Sequence, residues 1–114
     1  YTDYFLGELI KELETLTASY EVTLLYVSDH GESLGEDGIF LHGLPKAIAP
    51  KAQTHVPVFL WAPEGSSDVS YKETLALKDN AYTHSDISDT LLRLTEVQTN
   101  AYKGSGSSMI ILGD

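Results

Sequence analysis

Asp29 and His30 sit side by side in the stretch YVSDHG (26–31), where strand-forming residues give way to a glycine. A carboxylate next to an imidazole is a donor pair suited to zinc. A complete catalytic zinc site needs at least one further protein ligand and an open position. His42 follows across a glycine-rich loop, in LHG (41–43), and can return to the same pocket. There its imidazole could donate to a substrate oxyanion or carry a proton to a leaving group. Taken alone, Asp-His-Gly is also an ordinary turn and His42 an ordinary loop histidine.

The remaining polar residues of the region have plainer readings. Glu32, Glu36 and Asp37 read as solvated loop acids. His55 stands at a strand start, where it satisfies a backbone group, and His84 flanks a helix cap. Ser28 and Ser33 flank the Asp–His pair, but no basic partner lies at a spacing useful for a serine nucleophile. Neither a glycine-rich phosphate loop nor a dinucleotide fingerprint is present.

Several elements must position these groups. YEVTLLYVS (20–28) is rich in β-branched and aromatic residues with a continuous apolar centre, the pattern of a strand covered on both faces in a parallel sheet. Its carboxyl end carries Asp29 and His30, where open α/β sheets gather functional groups. Residues 29–54 read as loop, with Gly31 giving the backbone room to bend. HVPVFLWAP (55–63) reads as a second buried strand, with Pro57 near its start.

Ahead of the first strand, Phe5, Leu6, Leu9, Ile10, Leu13 and Leu16 recur at helical spacing. They predict a helix over 2–18, capped by Thr2 or Asp3, that packs on a sheet. Residues 64–83 are polar and are expected to cross the surface. HSDISDTLLRLTE (84–96) predicts a second helix, capped by Ser85. Residues 103–114 form a tail, flexible through KGSGSS, with MIIL (109–112) as a possible short strand. The order helix, strand, long loop, strand, helix fits α/β class, as one part of a mostly parallel sheet flanked by helices. So few strands cannot complete a doubly wound sheet.

Composition narrows the partners. The chain has 114 residues, 42 % of them hydrophobic, which suits one domain or a piece of a larger one. A formal charge of −10 argues against nucleic acid, whose phosphates are bound by clustered Lys and Arg. The same balance admits an anionic substrate if a bound cation reverses the local field. No apolar run of about 18 residues is present to span a membrane, and YTDYFLGELI lacks the basic stretch of a signal peptide. With no cysteine there is neither a disulfide nor a thiolate metal site.

The whole stretch YVSDHGESLGEDGIFLHGLPKAIAPKAQTHVPVFLWAP closely resembles the C-terminal part of the phosphoethanolamine transferases that modify lipid A. That family includes the mobile colistin-resistance enzymes and belongs to the alkaline phosphatase/sulfatase superfamily. The similarity reaches less strictly to YTDYFL before it and HSDISDTLLRL after it. It implies an alkaline-phosphatase-like sandwich over residues 1–114, with Asp29 and His30 as zinc ligands and His42 touching the transferred phosphoryl group. It further implies a two-step transfer through a phospho-threonine, from phosphatidylethanolamine to a lipid A phosphate, at the periplasmic face of a bacterial inner membrane.

The resemblance places the threonine nucleophile, a glutamate ligand, another histidine and the membrane-spanning domain upstream of the matched region. Thr2 has the wrong context for the nucleophile, so this polypeptide by itself is expected to be inactive. Two alternatives stay open: a sulfatase or other metal-dependent phosphohydrolase of the same superfamily, and an inert folded fragment or interaction module. Oligomeric state and acceptor phosphate are not legible.

Overall fold

A computed structural model describes residues 1–100 and 108–113. The chain forms two compact units, Leu24–Trp61 and a second made of Tyr1–Thr23 with Ala62–Asp114. All the predicted site residues belong to the first.

In the Leu24–Trp61 unit, β1 (Leu24–Val27) pairs with β4 (Val58–Trp61). The register runs from Leu24 opposite Trp61 to Val27 opposite Val58. Both strands lie where β-branched and aromatic residues concentrate, and both are shorter than their sequence patterns. The pairing is antiparallel, which corrects the expected parallel arrangement. Continuous apolar character reports burial but is silent on direction. Direction follows from the connection, and residues 28–57 fold back without a crossover layer. Because Val27 faces Val58, both ends of that connection are pinned at one rung of the ladder.

The connection is not the plain loop expected for 29–54. It contains a second antiparallel pair, β2 (Ser33–Leu34) with β3 (Phe40–Leu41), joined by a 3₁₀ turn at Glu36–Gly38. Gly35 at φ 120° and Gly38 at φ 75° supply the left-handed backbone that this turn needs. A single-turn helix, α2 (Lys51–Thr54), then leads to β4. Strands of two residues carry no readable period, which is why they escaped the pattern.

In the other unit, α1 (Thr2–Leu16) matches its predicted helix, with Tyr1 rather than Thr2 or Asp3 in the cap position. Leu6, Leu9, Ile10 and Leu13 are half-buried, whereas Phe5 and Leu16 remain exposed, so the helix buries no residue fully. A short helix, α3 (Tyr71–Leu75), interrupts the stretch expected to be surface chain. For α4 (Ser85–Leu94), the cap position falls on His84 rather than Ser85, and the side-chain bonds at its start join Thr83 to Asp86. Thr83 donates to Asp86 Oδ2 from both its backbone N–H, at 2.7 Å, and its hydroxyl, at 3.0 Å. The first-turn carboxylate thus reaches back to the backbone donor ahead of the helix, one half of a capping box.

The core of this unit is Val22, Val69, Met109 and Ile110. Residues 109–112 reach it without becoming the expected strand. Met109 N–H donates to the buried Thr90 hydroxyl at 3.0 Å, Ile111 N–H to Thr74 Oγ1 at 2.9 Å, and Ser70 N–H to Ile111 O at 2.9 Å. Side-chain hydroxyls thus satisfy backbone groups that a strand partner would otherwise take. The KGSGSS part of the predicted tail falls largely outside the described residues.

Candidate active site

Past Val27 the chain turns tightly around Asp29. Ser28 Oγ donates to His30 O at 2.8 Å, and His30 N–H donates to Asp29 Oδ1 at 2.9 Å. This backbone N–H, together with the neighbouring His30 imidazole, holds the Asp29 carboxyl below its ordinary pKa and keeps it ionised. The other carboxylate oxygen, Oδ2, lies 3.8 Å from His30 Nε2.

His30 Nδ1 stands 2.8 Å from Gly31 O. A carbonyl only accepts, so Nδ1 carries a proton toward Gly31 O and the ring turns Nε2 toward Asp29. The second histidine repeats the device. His42 Nδ1 stands 2.8 Å from Glu32 Oε2, a carboxylate acceptor that leaves Nε2 as the working nitrogen. The two rings stack with centroids 3.8 Å apart at 28°.

The hairpin delivers His42 to this position. Ser33 faces Leu41 across β2–β3, so the residue after Leu41 comes back beside the residue before Ser33. Leu41 adopts φ 65°, a left-handed conformation that costs a side-chain-bearing residue on the order of 1–2 kcal/mol. It turns the chain just ahead of His42. Gly31 is required for a different reason from the bend expected of it. A Cβ there would drive into the backbone oxygen of Ala52 in α2, and Gly31 N–H donates to Gln53 O at 3.0 Å.

The structure therefore brings together all three predicted residues and adds Glu32, which had been read as a solvated acid. Glu32 lies two residues from His30 and both side chains reach His42, so the i, i+2 spacing is the one signal that pointed to it. Glu36 instead closes the hairpin turn, accepting Leu34 N–H at 2.8 Å. Ser33 is buried against Gln53, with no base beside it.

Two donor sets can address a cation. Asp29 and His30 offer oxygen and nitrogen 3.8 Å apart, close to the separation of about 3.3 Å between two ligands of a tetrahedral zinc. His30, Glu32 and His42 each offer a ligand atom within 4.8 Å of the others. Neither His55 nor His84 belongs to such a group among the described residues.

This loop and its flanking strands fall inside a match to the profile of the sulfatase family, which covers residues 1–97. The chain belongs to the sulfatase family. Among its relatives in that family is the phosphatidylethanolamine transferase Mcr-2 of Escherichia coli, 47 % identical over 102 residues. The match takes in 90 % of this chain and 18 % of that protein. Another is the phosphoethanolamine transferase EptA of Salmonella typhimurium, 38 % identical over 109 residues, covering 92 % and 20 %.

Solved structures agree. The soluble domain of lipooligosaccharide phosphoethanolamine transferase A from Neisseria meningitidis superposes with a TM-score of 0.86 at 35 % identity, over 98 % of this chain and 34 % of that one. The C-terminal periplasmic domain of EptC from Campylobacter jejuni gives 0.76 at 43 % identity, over 90 % and 32 %. The expected α/β, alkaline-phosphatase-like class and the kinship with phosphoethanolamine transferases are both borne out. The chain spans about a fifth of the length of the curated relatives it matches.

Proposed function

We propose that this sulfatase-family chain is the C-terminal part of the catalytic domain of a zinc-dependent phosphoethanolamine transferase. Phosphatidylethanolamine is its donor and a lipid A phosphate its acceptor. The reaction takes place at the periplasmic face of the bacterial inner membrane, to which a membrane-spanning segment elsewhere in the protein anchors it. One observation carries this reading at the level of chemistry: both histidines, stacked on each other, have Nδ1 tied to an oxygen acceptor, which leaves each Nε2 for other partners, that of His30 at 3.8 Å from the Asp29 carboxylate. Relatives named as transferases supply the substrate class.

In this assignment Asp29 and His30 are metal ligands. Zinc, when bound, would neutralise charge on the phosphoryl oxygens and lower the proton affinity of a nucleophile. Asp29 contributes a full negative charge at neutral pH. His30 presents Nε2 because the Gly31 carbonyl holds its other nitrogen. His42, its Nδ1–H held by Glu32, faces the phosphoryl group, where the imidazolium form donates its Nε2–H to an oxygen or passes that proton to the departing alcohol. The threonine nucleophile and the remaining ligand come from other parts of the enzyme.

The test is a chimera in which this chain replaces the matching fifth of the Mcr-2 transferase. It should move phosphoethanolamine from a labelled phosphatidylethanolamine to lipid A. Asp29→Ala, His30→Ala and His42→Ala should each reduce transfer to background, the first two with loss of bound zinc. A folded, zinc-loaded chimera that hydrolyses an aryl sulfate and transfers no phosphoethanolamine would replace this reading with the sulfatase alternative.

A further inference from the structure

The segment 30–33 has two faces, and each does a different job. His30 and Glu32 project toward His42, the first by ring stacking and the second by its 2.8 Å hydrogen bond. Gly31 and Ser33 project the other way, and both end on one residue of α2. Gly31 N–H donates to the backbone oxygen of Gln53 at 3.0 Å, and Gln53 Nε2 donates to Ser33 Oγ at 2.9 Å. Gln53 is 6 % exposed and Ser33 2 %. Gly31 has no room for a side chain against α2, so the segment lies directly on that helix.

A buried residue bonded to alternate positions, to Gly31 through its backbone oxygen and to Ser33 through its side-chain amide, fixes the rotation of the segment between them, because here neighbouring residues face opposite ways. We propose that Gln53 is a positioning residue: by gripping Gly31 through its backbone and Ser33 through its side chain, it sets the rotation at which His30 and Glu32 meet His42. It acts through those residues and touches no substrate.

The inference rests on the reading of this loop as the reactive site. The claim about geometry can nevertheless fail or hold separately from the claim about chemistry. Among buried polar groups, a pair satisfied by each other is costly to break and specific in geometry. Without the Ser33 bond, the Gly31 contact and the two-residue β2–β3 ladder would remain, and neither ties the Ser33 side chain to α2.

The experiment uses the full 114-residue chain and reads two things, the His30–His42 ring contact by nuclear Overhauser effects and zinc affinity by titration with zinc chloride. In the unsubstituted chain the ring contact should be present; its absence would overturn both this proposal and the site reading. Gln53→Ala should remove the ring contact and lower zinc affinity on the order of 10-fold, while the amide pattern of β1 and β4 is kept. Gln53→Glu, whose carboxylate accepts from the Ser33 hydroxyl, should restore the contact.

Retention of the ring contact in folded Gln53→Ala, or failure of the glutamate variant to restore it, overturns the proposal. Should Gln53→Ala not fold, Ser33→Ala decides: loss of the ring contact with β1 and β4 intact supports the grip, and retention overturns it. Ring contacts that respond as expected in the chain, together with Asp29→Ala and His30→Ala chimeras that keep their zinc, would support Gln53 as a positioning residue and defeat the metal assignment.

Discussion

Glu32 and His42, ten residues apart in the chain, are joined by a 2.8 Å bond between carboxylate oxygen and Nδ1, and both side chains are partly open to solvent. An exposed ion pair of this kind contributes little to stability. Its effect is on the ring: it engages Nδ1 and so sets where Nε2 points. The bond therefore bears on chemistry far more than on folding.

Accordingly, Glu32→Ala in the chimeric transferase should lower phosphoethanolamine transfer on the order of 10- to 100-fold with little change in urea midpoint. Glu32→Gln, whose amide oxygen still accepts from Nδ1, should fall between the alanine variant and the unsubstituted enzyme. Equal activity in all three would remove Glu32 from the site.

Gly31→Ala should act through folding. The new methyl group has to displace the Ala52 carbonyl of α2 and breaks the approach that lets Gly31 N–H reach Gln53 O. Overpacking of this sort costs about 1–3 kcal/mol or more. In urea unfolding of the 114-residue chain the midpoint should drop with an unchanged slope, and an unshifted midpoint would show that α2 simply moves aside.

Thr90 makes two buried bonds, donating to Asp86 O at 2.8 Å and accepting Met109 N–H at 3.0 Å. Thr90→Val keeps the shape and strands the Met109 donor, at a cost of about 1–3 kcal/mol. Thr90→Ser should cost less. Hydrogen exchange at Met109 is the direct readout: it should quicken in the valine variant and stay slow in the serine one.

The carboxyl of Asp68 is pushed up by burial and, further, by the negative charges of Glu21 and Glu96. A folded-state pKa above the unfolded value means that ionisation is disfavoured in the folded chain, so the charge lowers stability at neutral pH. Asp68→Asn should therefore raise the melting temperature at pH 7. That gain should shrink as acidification carries the solution down through the raised pKa, and vanish below the ordinary carboxylate range. A gain independent of pH would point to a cause other than charge.

How much of this was readable from the chain alone differs element by element. The Asp29–His30 pair announced itself through residue type and its place after an apolar strand, and β1, β4, α1 and α4 all appear close to where their periodicity put them. The direction of pairing was hidden, because an apolar run looks the same in parallel and antiparallel neighbours. Helix α3 is too short to show a helical period. Gln53 was illegible and Glu32 showed only through its spacing from His30, for a shared reason: each is an ordinary polar residue whose partner is brought to it only by folding, His42 through the hairpin and Ser33 through α2. The cap of α4 was misplaced onto Ser85 because serine is a good capping residue, whereas the cap position falls on His84 and the side-chain bonds there join Thr83 to Asp86.

The division of labour along Gly31–Ser33 has a consequence for how such a loop can diverge over time. Gaining or losing a single amino acid between Asp29 and Ser33 would swap the inner and outer faces from that point on, presenting buried positions to the reacting partner and reactive ones to α2. An insertion at the apex, Glu36 to Gly38, lengthens the turn beyond this span and changes no such parity. Sequence length in this short span should therefore be held far more tightly than at the tip of the hairpin, whatever letters occupy either place.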